Sequence, residues 1–393
     1  MKKLLILILA VLLSTAAAAC SFQPPAASSA VQTTGAELSD PDASPSNGKI
    51  GIVMPTKSLE RWNRDGAFLR KQFESQGYAV SLVYSGNNVT QQIRDIEAMI
   101  ADMVDLLVIV AIDGDSLSDV LQSAVDADIP VIAYDRLIMN TDVVSYYVSF
   151  DNYTVGKLMG QYVVDTLGLK LDDTSTSYNM EFTGGDAADN NALFVFNGAY
   201  DVLKPYLDAG ILKVPSGQTD FESVATARWN TATANNRMQN ILSAFYSDGT
   251  RLDVALCSND STALGVLQAL ESDYAEKNAV LITGQDGDEA NLAEIINGKQ
   301  SMTVYKAFAN EAVVTVDLAL AILRGETPDA ALVKTAGWQF DCLYDTESYD
   351  NNNGIVPSYL LVPAVVTKEN FRKVLVEPGY YTMGTDGYPK AVE

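Results

Sequence analysis

From Lys49 onward, short apolar runs rich in β-branched residues alternate with segments whose apolar residues recur every three or four positions. The runs predict strands over 49–54, 79–84, 105–111 and 129–134, and the periodic segments predict helices over 59–76, 89–101 and 115–127. Leu117, Val120, Leu121, Ala124 and Val125 show the helical spacing, falling at i, i+3, i+4, i+7 and i+8. Leu106 to Ala111 is apolar without a break, as expected of a strand covered on both faces. Such βαβα order implies parallel sheets with helices on both sides. After Phe150 the alternation restarts, with strands near 178–183, 211–214, 252–257, 279–283 and 300–305, and long helices between them, including one over 230–245. About 345 residues arranged in this way suggest two α/β lobes.

The N-terminus has a different pattern. Lys2 and Lys3 precede an apolar run from Leu4 to Leu13, then small residues up to Ala19, then Cys20. That order is an export signal over residues 1–19. The run is about half of the roughly 20 residues needed to span a bilayer. Small residues directly before a cysteine suggest lipidation of Cys20, with ordinary cleavage nearby as the alternative. Residues 21–48 hold four Pro and six Ser, no Lys or Arg and no apolar period, so with Cys20 they read as an unstructured tether. A chain of that length would reach about 30 Å.

Composition narrows the chemistry. The formal net charge of −24 argues against nucleic acid and anionic membrane as partners. There is no histidine, which excludes Ser-His and Cys-His nucleophiles and the usual histidine metal sites. Cys257 and Cys342 could pair, but their spacing leaves this open.

In open parallel sheets, ligands bind beyond the carboxyl ends of the strands. There the chain places Asp113, then Asp135 and Arg136, Asp189 with Asn190 and Asn191, Asn259 and Asp260, Gln285 and Asp286, and Lys306. Any single Asp or Asn could be a helix cap. Caps do not account for Arg136 or Lys306. Carboxylates, amides and fixed cations together suit a polyol, whose hydroxyls each donate once and accept twice. Arg61-Trp62 and Arg228-Trp229 add indoles able to cover the apolar face of a sugar ring. Trp338 has no such neighbour and reads as packing.

These residues resemble the type I periplasmic-binding-protein family of ABC-transporter sugar receptors, in its xylose-binding and multiple-sugar-binding branch. The resemblance runs from Lys49 to Tyr381 and is carried by PTKSLERW (55–62), VIAYDRLI (131–138), SFDNYTVG (149–156), DNNA (189–192), VLKPYLDAG (202–210), SNDSTALG (258–265), TGQDGDEA (283–290), MTVYK (302–306) and VPSYLL (356–361). It implies sugar contacts from Lys57, Arg61, Trp62, Asp135, Arg136, Asp189, Asn191, Trp229, Asn259, Asp286 and Lys306. It also implies an α/β fold of two doubly wound parallel-sheet lobes joined by a three-strand hinge. The N-lobe would comprise 49–149 plus 288–357 and the C-lobe 150–287 plus 358–393, with crossings near Phe150-Asp151, Gly287-Asp288 and Pro357-Ser358. Two departures stand out. GDAADNN at 185–191 changes the loop before the Asp-Asn pair, and 337–353 is longer than the family needs. Asp345, Glu347 and Asp350 lack EF-hand spacing and its glycine, so that segment reads as a solvated insertion rather than a Ca²⁺ site.

The function implied is a monomeric extracytoplasmic receptor, anchored by lipid alone, that delivers a monosaccharide such as xylose, glucose or galactose to an ABC permease, with no cofactor or metal. A sensor presenting its closed form to a histidine kinase or chemoreceptor is the alternative. A glycosidase using Asp135 and Asp286 would need one protonated carboxyl group, which neighbouring Arg136 and Lys306 oppose. A transcriptional regulator would need a basic helix-turn-helix where the signal and tether stand.

Overall fold

The computed structural model describes residues 47–274 and 280–392. The export signal, Cys20 and nearly all of the tether lie outside the described residues.

The first passage of chain is β1 (Lys49–Met54), α1 (Glu60–Ser75), β2 (Ala79–Tyr84), α2 (Val89–Ala101), β3 (Leu106–Ile109), α3 (Ser118–Asp126), β4 (Val131–Tyr134) and β5 (Val144–Phe150). The second is α4 (Asn152–Leu167), β6 (Tyr178–Thr183), α5 (Asn190–Asp208), β7 (Leu212–Lys213), α6 (Phe221–Val224), α7 (Thr231–Phe245), β8 (Val254–Cys257), α8 (Asp260–Asp273), β9 (Leu281–Ile282), α9 (Glu289–Ile296) and β10 (Thr303–Tyr305). A third passage holds α10 (Phe308–Leu323), α11 (Ala330–Thr335), β11 (Cys342–Asp345) and β12 (Ser358–Leu361). The chain ends with β13 (Ala364–Val366), β14 (Tyr381–Met383) and β15 (Pro389–Ala391).

The first and third passages share a seven-stranded sheet ordered β2-β1-β3-β4-β5-β12-β11, parallel except for β11 at one edge. Strand pleating sends alternate residues to opposite faces. Ile50, Ile52 and Met54 pack with Leu69 and Phe73 of α1 and Ala312 and Ala319 of α10. Val53, Leu107 and Ile109 pack with Ile96 of α2 and Leu121 of α3 on the other side. This is the doubly wound arrangement. A second sheet, β7-β6-β8-β9, is also parallel and lies between α4–α5 and α7–α8. It continues through a bridge between Gln285 and Val304 to β10, which pairs antiparallel with β13.

These pairings correct two of the expected crossings. Residues 288–306 go with the second lobe, because β10 bonds to β13 and bridges to Gln285, while Leu292 and Ile295 pack with Phe371 and Tyr381. Residues 358–361 belong to the first lobe, because β12 pairs with β5. The chain therefore crosses between Phe150 and Asn152, around Ala307, and between Leu361 and Ala364. Strand β5 was not among the expected elements; Ser145 and Ser149 interrupt its apolar run. Cys342 lies in the first lobe's core and Cys257 in the second's, both free, so they do not pair.

The 337–353 segment is not simply a solvated insertion. It supplies edge strand β11, buries Tyr349 against Tyr147 and Phe194, and uses the Asn351 amide to bond the Ile138 and Thr141 carbonyls.

Candidate functional site

A cavity lies between the lobes at the carboxyl ends of their strands. Ten of the eleven expected contacts line it: Arg61, Trp62, Asp135, Arg136, Asp189, Asn191, Trp229, Asn259, Asp286 and Lys306. Lys57 does not. Its side chain is exposed, with the ammonium 4.9 Å from the centre of the Tyr84 ring. Leu59, Val195, Ser261, Gln285 and Asp288 complete the lining. Of these, Gln285 had already been placed at a strand end, while Asp288, two residues beyond Asp286, was not singled out although it follows the same strand.

Capping and cavity lining coincide here. Asp189 caps α5 by accepting from the Asn191 N–H at 3.1 Å, and Asn259 caps α8 by accepting from the Thr262 N–H at 2.9 Å. The other Asp189 oxygen accepts from Trp229 Nε1 at 3.1 Å and lies 2.9 Å from Arg136 Nε. Asp135, Asp286 and Trp229 have φ of 58°, 102° and 53°. Left-handed backbone in residues with a Cβ is costly, and it concentrates at functional sites. Gly185 is needed for the fit, since a Cβ there would stand 2.1 Å from the Trp229 indole.

The ion pairs form one network. Arg61 Nη2 lies 2.7 Å from Asp135 and 2.8 Å from Glu311, Nε lies 3.1 Å from Asp65, and Nη1 lies 3.6 Å from Asp286. Burial works against the Asp135 charge, but Arg61, Lys306 and Arg136 hold its carboxyl well below the usual range. Burial raises Asp189 despite Arg136. The Asp135 carbonyl accepts from the Asn191 amide at 2.6 Å, from Tyr147 at 2.6 Å and from Ser149 at 2.8 Å. Arg136–Asp189 and Asp135–Asn191 both join the two lobes. The indole of Trp62 carries two guanidinium groups, Arg61 at 4.7 Å and Arg136 at 5.2 Å. Trp338 stacks on Phe340 and donates to Asp317, away from the cavity.

Two α/β lobes closed over a buried polar cavity, with ion pairs crossing between them, are the build of a solute-binding protein. The chain belongs to the periplasmic binding protein family, whose domain model matches residues 50–327. It is 43% identical over 344 residues to the multiple sugar-binding periplasmic receptor ChvE of Rhizobium radiobacter, covering 87% of this chain and 93% of that protein. It is 34% identical over 346 residues to the D-xylose-binding periplasmic protein of Escherichia coli, covering 88% and 94%. The structure matches an ABC transporter solute-binding protein of Clostridium phytofermentans with bound β-D-glucose, with a TM-score of 0.79 and 48% identity over 85% of this chain and 98% of that one. The family is one of binding proteins, and this chain is a binding protein rather than an enzyme.

Proposed function

We propose that the protein is an extracytoplasmic receptor, lipid-anchored through Cys20, that closes around an aldose of the glucose or xylose class and hands it to an ABC transporter permease. The observation that carries this reading is a set of polar atoms in the cavity wall. Trp62 Nε1, Gln285 Oε1 and Asp286 Oδ1 are buried without a protein hydrogen-bond partner. Unpaired buried polar atoms cost on the order of 1–3 kcal/mol each, and the hydroxyls of a sugar can satisfy donors and acceptors alike. Both lobes supply the wall, so a sugar stabilises closure by as much as it binds the closed form better than the open one. The xylose-binding and glucose-bound relatives support the ligand class.

A thermal-shift panel of D-glucose, D-xylose, D-galactose and L-arabinose, followed by calorimetry, tests the reading. At least one aldose is expected to raise the melting temperature in a saturable way, and silence across the panel would reject an aldose receptor. For the anchor, Cys20→Ala is expected to release the protein from membranes; a variant that still labels with fatty acid rejects it.

A further inference from the structure

We propose that Arg64 and Tyr381, which do not line the sugar cavity, are positioning residues for Asp286. Asp286 and Gly287 both adopt left-handed backbone, with φ of 102° and 78°. The side chain of Asp286 lines the cavity, so this turn sets where its carboxylate stands. Two groups grip the turn from opposite sides. On the N–H side, Asp260 accepts from Gly287 and Asp288, each at 2.9 Å. On the carbonyl side, the Tyr381 hydroxyl donates to the Gly287 oxygen at 2.6 Å.

That hydroxyl is itself held. Arg64 Nη1 donates to it at 2.6 Å, and Nη2 lies 3.5 Å from Asp288. The Arg64 guanidinium is 4.9 Å from the centre of the Phe308 ring and 5.9 Å from that of Tyr381. Arg64 stands three residues beyond Arg61 on α1, so the two share a helix face. The first lobe thus holds the Asp286 turn twice, by Arg61 at the carboxylate and by Arg64 through Tyr381 and Asp288. Strained backbone persists only where its surroundings over-determine it. Removing the hydroxyl frees the Gly287 carbonyl and lets Asp286 turn away from the cavity.

The inference rests on the proposed sugar-binding reading, and its test separates the two. Calorimetry with D-glucose, and with D-xylose if glucose does not bind, is run on the full chain. If the unaltered protein binds neither, the sugar reading and the inference built on it both fall. If it binds, Tyr381→Phe keeps the buried ring and removes only the hydroxyl. It is expected to weaken binding 5- to 30-fold and, because the Gly287 carbonyl and Arg64 each lose a buried partner, to lower the sugar-free melting temperature as well. In an Asp286→Asn background the same change is expected to weaken binding less than two-fold, because its effect runs through Asp286. Affinity within two-fold of the unaltered protein, or an equal loss in both backgrounds, overturns the inference. Arg64→Gln is the second variant, expected to give a smaller loss that also vanishes in the Asp286→Asn background; a loss that persists there overturns the inference.

Discussion

Lys306 Nζ and Asp135 Oδ2 lie 2.7 Å apart, both buried, at the ends of strands that belong to different lobes. Each is at once part of the cavity wall and part of the bond that closes it. Asp135→Asn keeps the side-chain volume but leaves Lys306 and Arg61 short of counter-charge. It is expected to weaken sugar binding by about 2–4 kcal/mol, and Asp286→Ala by a similar amount. Calorimetry showing unchanged affinity in both variants places the site elsewhere.

Trp229 is buried, with its indole N–H bound to Asp189, and it reaches that position only because residue 185 has no side chain. Trp229→Ala is expected to lose about 2–3 kcal/mol of affinity through lost apolar burial. At saturating sugar it should stay partly open in small-angle scattering. Gly185→Ala should act in the same direction by displacing the ring, at a cost of about 1–3 kcal/mol. A Trp229→Ala protein as compact as the unaltered one at saturation, with its loss confined to melting temperature, makes the tryptophan a packing residue.

Asp65 pairs with Arg61 behind the cavity, yet burial first, and then the charge of Asp135, push its pKa up to about 6. The folded value lies above the ordinary aspartate value of about 4, so the folded protein holds a proton that the unfolded chain releases. Folding stability through this group is therefore greatest at the acid end, falls as pH rises from about 4 to about 6, and levels off above. Asp65→Asn should flatten that slope in denaturant titrations run from pH 4 to 7. A stability difference between the unaltered protein and Asp65→Asn that rises with pH over this range refutes the assignment.

Burial pushes the Cys257 and Cys342 thiols up to about 12. In a Cys20→Ala protein, a thiol reagent at pH 8 should react with neither until denaturant is added, because the thiolate is the reactive form. Rapid modification of the native protein means that these cores open far more readily than the structure implies.

Much of the architecture was legible because strands buried on both faces are continuous apolar runs, and the helices between them keep their period. The cavity-lining residues were legible for a related reason: a polar or charged side chain directly after such a run has few other uses. Where a strand belonged was much less legible. Nothing in Ser358–Leu361 says that it pairs with β5, and nothing in Thr303–Tyr305 says that it stays with the second lobe, because pairing is a relation between distant segments. Asp260 stood in view beside Asn259, but its grip on Gly287 and Asp288 depends on a turn 27 residues later. Lys57 lay in a stretch that carried the resemblance, yet the backbone there turns its side chain toward Tyr84 and solvent.

The last crossing has a consequence for how the molecule is made. β12 completes the pairing that anchors β11 in the first lobe, and β13 pairs with β10 in the second, and both come after every other strand of the two sheets. A chain emerging from its N-terminus can form β1 to β5 early, but neither sheet is whole until β12 and β13 have followed. Long-range pairings of this kind are slow and leave unpaired edges exposed while they wait. Loss of the chain from β12 onward would therefore not remove an appendage from a finished lobe. It would leave both lobes open at an edge, and with them the cavity that only the two together enclose.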